Sequence, residues 1–335
     1  ASPSATPEPE PSNGEVQQAA LPPVPVSEPA LKGIVAKIAT VAAEADVAAS
    51  TELAQQRFVG SALAQRDANY KIRGKVPETP LPLSITSQLV GYNLIQSTDG
   101  WPRTILASTN SSFPEGQEPP VDENGIELKS PVLALVMKQE SPYSNYLVQS
   151  VIEVRGGVVF PEAAAVEKGV AVLPKDSKTL VLAPNQVGLA FGEILAQGEA
   201  APSYALFDVT DEPLLEQLGQ AWVAKAQAEA AERGESVEYS IEMGQADDVV
   251  ALSTGAGGAL VSVTINEKHI ARSTQERGSV KLTPSVEALS GLSGSKRSVY
   301  QLWQSQMLFF VPNAESGEKI RILGSTTAMT GAGEG

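Results

Sequence analysis

The stretch SPVLALVMKQESPYSNYLVQSVIEV, residues 130–154, decides the fold. Two runs rich in Val, Leu and Ile flank Glu140-Ser141-Pro142. Pro142 fixes its own φ and removes a backbone donor, so the chain turns there. β-forming residues on both sides of such a turn read as an antiparallel hairpin, with strands over 132–139 and 143–154. Upstream, Ser84–Gln96 and Thr104–Thr109 carry further strand signals, and Pro77, Pro80 and Pro82 rule out helix between them and what precedes. Earlier still, Leu31, Ile34, Val35, Ile38, Val41 and Ala45 recur at three and four, which predicts a helix over 31–49. Ser50 or Thr51 can cap a second helix whose apolar face continues through Leu53, Phe58, Val59 and Leu63. Ser111–Lys129, rich in Pro, Gly and acids, reads as a mobile loop. Helices followed by antiparallel strands make an α+β unit over 31–157, with the helices across one face of a curved sheet, closed by Arg155-Gly156-Gly157.

The pattern then recurs. Residues 158–205 read as a connector with a short strand at Leu180–Leu182 and a helix from Pro184 to Gln197, opened by proline and ended near Gly198. Residues 206–328 form a second α+β unit. A long helix, Glu212–Arg233, stops at Gly234. Strands follow over Val237–Met243, Val249–Ser253, Gly258–Ala271, Val280–Thr283, Ser298–Val311 and Lys319–Leu323. The tail, 329–335, is expected to fray. A length of 335 residues suits two domains.

Residues 1–30 are rich in Pro, Ser, Ala and Glu, and read as a disordered, extended tether. Such tethers follow the lipidated cysteine of exported lipoproteins. The expected setting is therefore extracytoplasmic, at the cell envelope, with membrane attachment through a lipid anchor upstream of this chain. No apolar run approaches the roughly 20 residues that span a bilayer. The chain has no cysteine, which excludes disulfides and Cys-ligated metal sites. Its formal charge of −15 opposes nucleic acid and anionic lipid surfaces as partners.

Signals for chemistry are sparse. The one histidine, His269, sits in Asn266-Glu267-Lys268-His269-Ile270 and reads as a surface residue of a strand. A single histidine cannot build a His-based zinc site. Ser293-Gly294-Ser295-Lys296 matches S-x-x-K but lies in a Gly/Ser-rich loop without its partner motifs. Gly255-Ala256-Gly257-Gly258 lacks the third glycine of a dinucleotide loop, because Leu260 stands there. Asp122-Glu123-Asn124-Gly125 lacks the ligand spacing of an EF-hand. Glu153, near a strand end, reads as a rim carboxylate paired to a neighbour. No catalytic residue, metal or cofactor is expected.

Aromatic residues are scarce, at 5%. Trp101, Tyr143 and Tyr146 lie in or beside loops of the first unit, with Arg103 close by. Tyr300, Trp303, Phe309 and Phe310 share one strand of the second, where strict alternation puts Tyr300, Leu302, Leu308 and Phe310 on one face and Trp303 and Phe309 on the other. A strand with aromatics on both faces can floor a groove. The candidate binding residues are Trp101, Arg103, Tyr143, Tyr146 and Trp303.

Several stretches are familiar: Arg57–Arg66, Trp101-Pro102-Arg103, Pro142-Tyr143, Gly257–Leu260 and Lys319–Gly324. In this order, across about residues 31 to 325, the chain resembles an uncharacterised family of actinobacterial secreted lipoproteins. The resemblance implies export, a lipid anchor and a pair of cystatin-like α+β domains. It carries over no catalytic residue. The resulting expectation is a non-catalytic binding or scaffold lipoprotein that engages an envelope protein or cell-wall glycan through an exposed patch at Trp101, Arg103 and the Tyr143–Tyr146 turn. One alternative is a carrier of a lipid or apolar ligand. Another is a hydrolase or isomerase, since cystatin-like cones can use one buried carboxylate as a proton shuttle, here Glu153.

Overall fold

The computed structural model describes residues 22–165 and 168–335. Residues 1–21 of the expected tether lie outside them. The remainder of that segment is docked rather than free. Val26 is buried and Val24 packs beside it. The Thr98 N–H donates to the Pro23 carbonyl at 2.9 Å. Ser27 caps α1 (Glu28–Ala48) by accepting from the Ala30 N–H at 3.4 Å. The two valines among the prolines give this stretch apolar surface to bury, so the folded body begins ahead of residue 31.

The chain is α+β, with two sheets that are mostly antiparallel. The first contains β1 (Ser84–Leu89), β2 (Leu94–Ile95), β3 (Arg103–Ser112), β4 (Leu133–Gln139) and β5 (Leu147–Glu153), in the order β1-β3-β4-β5 with β2 also on β3. The second contains β6 (Phe207–Asp208), β7 (Val237–Gln245), β8 (Val250–Ser253), β9 (Ala259–Ser273), β10 (Ser298–Val311) and β11 (Ile320–Glu334). Its order is β6-β11-β10-β9-β7, with β8 also on β9. Among the strand pairs of the described residues, β6–β11 alone is parallel.

Alternation along the strands builds the layers. Ile105, Ala107, Leu133, Leu135 and Met137 share a core with α1. Val261, Val263, Met307 and Phe309 share another with α4 (Pro184–Gln197). The opposite faces meet each other: Leu106, Ala134, Val136 and Ile152 of the first sheet pack in one cluster with Leu260, Leu308, Phe310 and Leu323 of the second. The result is a helix–sheet–sheet–helix stack in which the central strands are buried on both faces. A backbone bridge between Val154 and Gly324 ties the sheets together. A Cβ on Gly324 would stand 2.4 Å from the Glu153 carbonyl oxygen, so only glycine permits that approach.

Several elements differ from their sequence reading. The second helix is split into α2 (Thr51–Ala54) and α3 (Gly60–Lys75). Between them Phe58 turns into the core and bridges Val148. The long helix from Glu212 is split into α5 (Leu214–Gln217) and α6 (Gly219–Glu232). Leu180 makes only an isolated bridge to Asn313, and Val280 one to Lys296. A short helix, α7 (Pro284–Ser290), follows where no element was expected. The tail is no frayed end: β11 pairs with β10 as far as Glu334, opposite Val299. Gly331 and Gly333 leave room there for the side chains of Leu302 and Tyr300.

Candidate functional site

Helix α3 lies over the seam where β5 meets β10 and β11. Polar side chains fix it there. Gln65 Nε2 donates to the carbonyls of Gln304 (3.0 Å) and Thr326 (3.2 Å), and Gln306 Nε2 donates to Gln65 Oε1 at 2.6 Å. Gln306 Oε1 in turn accepts from the Val151 N–H at 2.8 Å. Between α3, the proline-bearing segment Thr79–Leu83, β5 and the β10–β11 hairpin lies a cavity of about 350 Å³. Ala62, Ile72, Leu83, Val151, Trp303 and Met329 give it apolar walls, while Arg66, Asn69 and Glu153 add polar ones.

The two charged groups on this lining differ. Arg66 is 3% exposed. Its guanidinium lies over the Phe58 ring at 4.2 Å, and its Nε is 3.4 Å from Asp46 Oδ1. Asp46 also accepts from the Tyr70 hydroxyl at 2.6 Å. Burial raises the Asp46 carboxyl above its usual range, against the opposing pull of Arg66 and the Tyr70 hydrogen bond. Burial also raises the Tyr70 hydroxyl, helped by the hydrogen bond to Asp46. Glu153 is half-buried, and its carboxyl has no ion pair or hydrogen bond among the described residues. The expected salt bridge at this residue is therefore absent there. Burial alone raises its carboxyl above the usual range.

Of the five candidate binding residues, Trp303 lines this cavity. The others lie at the opposite end of the first sheet, where Arg103 pairs with Gln139. There Trp101, Arg103 and the hairpin turn do come together. The Arg103 guanidinium covers one face of the Trp101 ring at 3.9 Å. Trp101 Nε1 donates to Gln139 Oε1 at 3.1 Å, and Gln139 Nε2 donates to the Ser144 carbonyl at 2.9 Å. Trp101 is 39% exposed and Tyr143 is 98% exposed. Tyr146 departs from its expected role: it is buried in the core shared with α1 and is not part of the surface patch.

His269 is the clearest correction. It is 2% exposed, not a surface residue. Trp222 of α6 stacks on its ring at 3.7 Å, and Trp303 approaches from the side at 5.7 Å. Its Nε2 lies 2.5 Å from Glu267 Oε1, which also accepts from the Gly219 N–H at 2.9 Å. Charged neighbours in sequence suggested solvent, but alternation puts Glu267 and His269 on the face that α6 covers. Elsewhere, the Asp122 carboxylate accepts from the N–H groups of Asn124 and Ile126, closing its own turn. Lys296 of the S-x-x-K stretch pairs with Glu334 at 3.3 Å.

Gln65 and Arg66 enter the sequence reading only within the Arg57–Arg66 stretch, and Asn69 not at all. Their signal is present: Ala62, Gln65, Arg66, Asn69 and Ile72 recur at three and four along α3, so a polar group interrupts the face that a helix turns inward. A family model described as "Domain of unknown function (DUF8094)" matches residues 24–334. No curated protein and no solved structure matches the chain.

Proposed function

Starting from the chain's membership of the DUF8094 family, we propose that it is a non-catalytic binding protein that holds a small apolar ligand in the cavity beneath α3. The observation that carries this reading is the cavity itself. About 350 Å³ of space lies between α3, a proline-bearing segment and two sheets. That volume falls within the range of small-molecule sites, roughly 300–1,000 Å³. Glu153 and Arg66 are the charged residues on its lining, and no second carboxylate or histidine lines it among the described residues. The setting we propose is the cell envelope, outside the cytoplasm, with a lipid anchor upstream. Each half is read as a cystatin-like unit.

Native mass spectrometry of the freshly purified chain tests the reading. Co-purifying small molecules are expected in the parent and lost in Ala328→Trp, which fills the cavity from β11. Identical spectra from the two proteins would remove it. A second reading, docking to an envelope protein or cell-wall glycan, is favoured by Tyr143, which stands almost fully exposed beside the Trp101–Arg103 stack. Pull-down from solubilised envelope with Tyr143→Ala and Trp101→Ala tests it, and unchanged partners would count against it.

A further inference from the structure

We infer that the ligand is an amphipathic amine, whose ammonium group meets the Glu153 carboxylate while its apolar body fills the rest of the cavity. The inference rests on the cavity being a ligand site and adds the class of ligand.

Arg66 already has a counter-ion in Asp46 and an aromatic face in Phe58. Glu153 has neither counter-ion nor hydrogen-bond donor among the described residues. An isolated carboxylate in apolar surroundings is costly, and a cation brought to it recovers much of that cost. Most other polar groups of the wall are engaged within the protein. Gln65 and Gln306 bind each other, Thr326 Oγ1 accepts from the Glu153 N–H at 2.9 Å, and the Thr327 hydroxyl pairs with Ser305 at 2.8 Å. Asn69 uses its Nδ2 on the Pro80 carbonyl at 2.8 Å and leaves Oδ1 without a partner. On the acceptor side, the Glu153 carboxylate and Asn69 Oδ1 therefore remain without a donor, which suits a donor-bearing guest.

The net charge of −15 draws cations toward the surface and repels anions. The competing guest is a carboxylate on Arg66, whose Nε and Nη2 make no hydrogen bond. It would have to share the guanidinium with Asp46.

Isothermal titration of the full chain at pH 7.5 with decylamine, decanol and decanoate separates these cases. Decylammonium should bind on the order of tenfold more tightly than decanoate. Glu153→Gln should bring decylammonium to within about twofold of decanol and leave decanol unchanged. Ala328→Trp should weaken all three. If its circular dichroism departs from the parent's, Val151→Phe replaces it as the cavity block. Decanoate binding as tightly as decylammonium, or a preference that survives Glu153→Gln, overturns the amine inference while leaving the cavity reading intact. Absence of binding by all three compounds, or binding that ignores both blocking variants, overturns the cavity reading and the inference with it.

Discussion

Glu267 holds two things at once. One carboxylate oxygen accepts from the N–H of Gly219, the first residue of α6, and also meets His269 Nε2. An acid at a helix N-terminus satisfies an orphan donor and suits the helix dipole. Gly219 cannot be replaced to compensate, because its φ is +60° and a Cβ there would lie 1.9 Å from the Leu195 carbonyl oxygen. Glu267→Ala therefore strands a buried N–H and a buried imidazole together. We expect a loss of about 2–4 kcal/mol in denaturant unfolding. His269→Phe, which keeps the stack on Trp222, should cost less. Equal losses would mean that the carboxylate does not anchor α6. Sequence alone exposed none of this. Glu267 and His269 sit among charges, and the helix that hides them is more than thirty residues away in the chain.

Among elements, β4 and β5 were legible because their turn and their aliphatic runs are local signals. The β4–β5 register runs from Leu133 opposite Glu153 to Lys138 opposite Leu147. Likewise α4 spans Pro184–Gln197 as read, since proline and glycine mark both ends. The far half of β11 was illegible for the converse reason. Thr326–Glu334 mixes three threonines with Ala328, Gly331, Ala332 and Gly333 and lacks apolar alternation, and it is a strand because β10 supplies a ladder along its length. The fit is close: a Cβ on Gly333 would stand 2.5 Å from the Tyr300 hydroxyl. Gly333→Val should push the end of β11 off β10 while the sandwich stays folded. Hydrogen exchange measures this directly, with faster exchange expected over 326–334 and no change in the β3–β4 pair. Protection that stays uniform would show that the strand tolerates the side chain.

At the scale of the whole molecule, helix-then-sheet occurs twice, as the sequence pattern suggested, yet the halves share a central core. Strand alternation could not reveal this, because a face that packs on a second sheet carries the same aliphatic residues as one that packs on a helix. Leu308 and Phe310 lie in the same cluster as Val136 and Ile152 of the other sheet. Leu308→Ala should therefore destabilise both halves together by about 2–5 kcal/mol. The expected record is one cooperative transition, shifted equally whether followed by Trp101 in the first half or Trp222 in the second in single-tryptophan variants. Two separate transitions, with only the second moved, would show that the halves melt independently.

Burial of carboxyls sets the response to acid. Glu153, Asp46 and Glu212 each have a carboxyl raised above its ordinary value, in every case chiefly by burial. For Glu212 the burial outweighs its ion pair with Arg155 at 2.6 Å. A raised folded-state value means that the folded chain binds more protons than the unfolded one. Stability from these groups therefore grows as pH falls through their folded values toward the ordinary 4.5 and 3.8. The lowered acids, Asp208, Asp247 and Glu235, are surface groups whose contribution fades only as pH falls below those ordinary values. The melting temperature should accordingly rise between pH 7.5 and pH 5 and drop in stronger acid. Relief of the −15 charge acts in the same direction, so the wild type alone does not isolate the buried groups. Glu153→Gln does: it should melt higher than the parent at pH 7.5, with the gap closing as pH falls toward the ordinary 4.5 and the native carboxyl takes up its proton. A gap that stays constant across that range would place the effect in packing, and a parent that loses stability steadily from pH 7.5 downward would contradict the buried-carboxyl account.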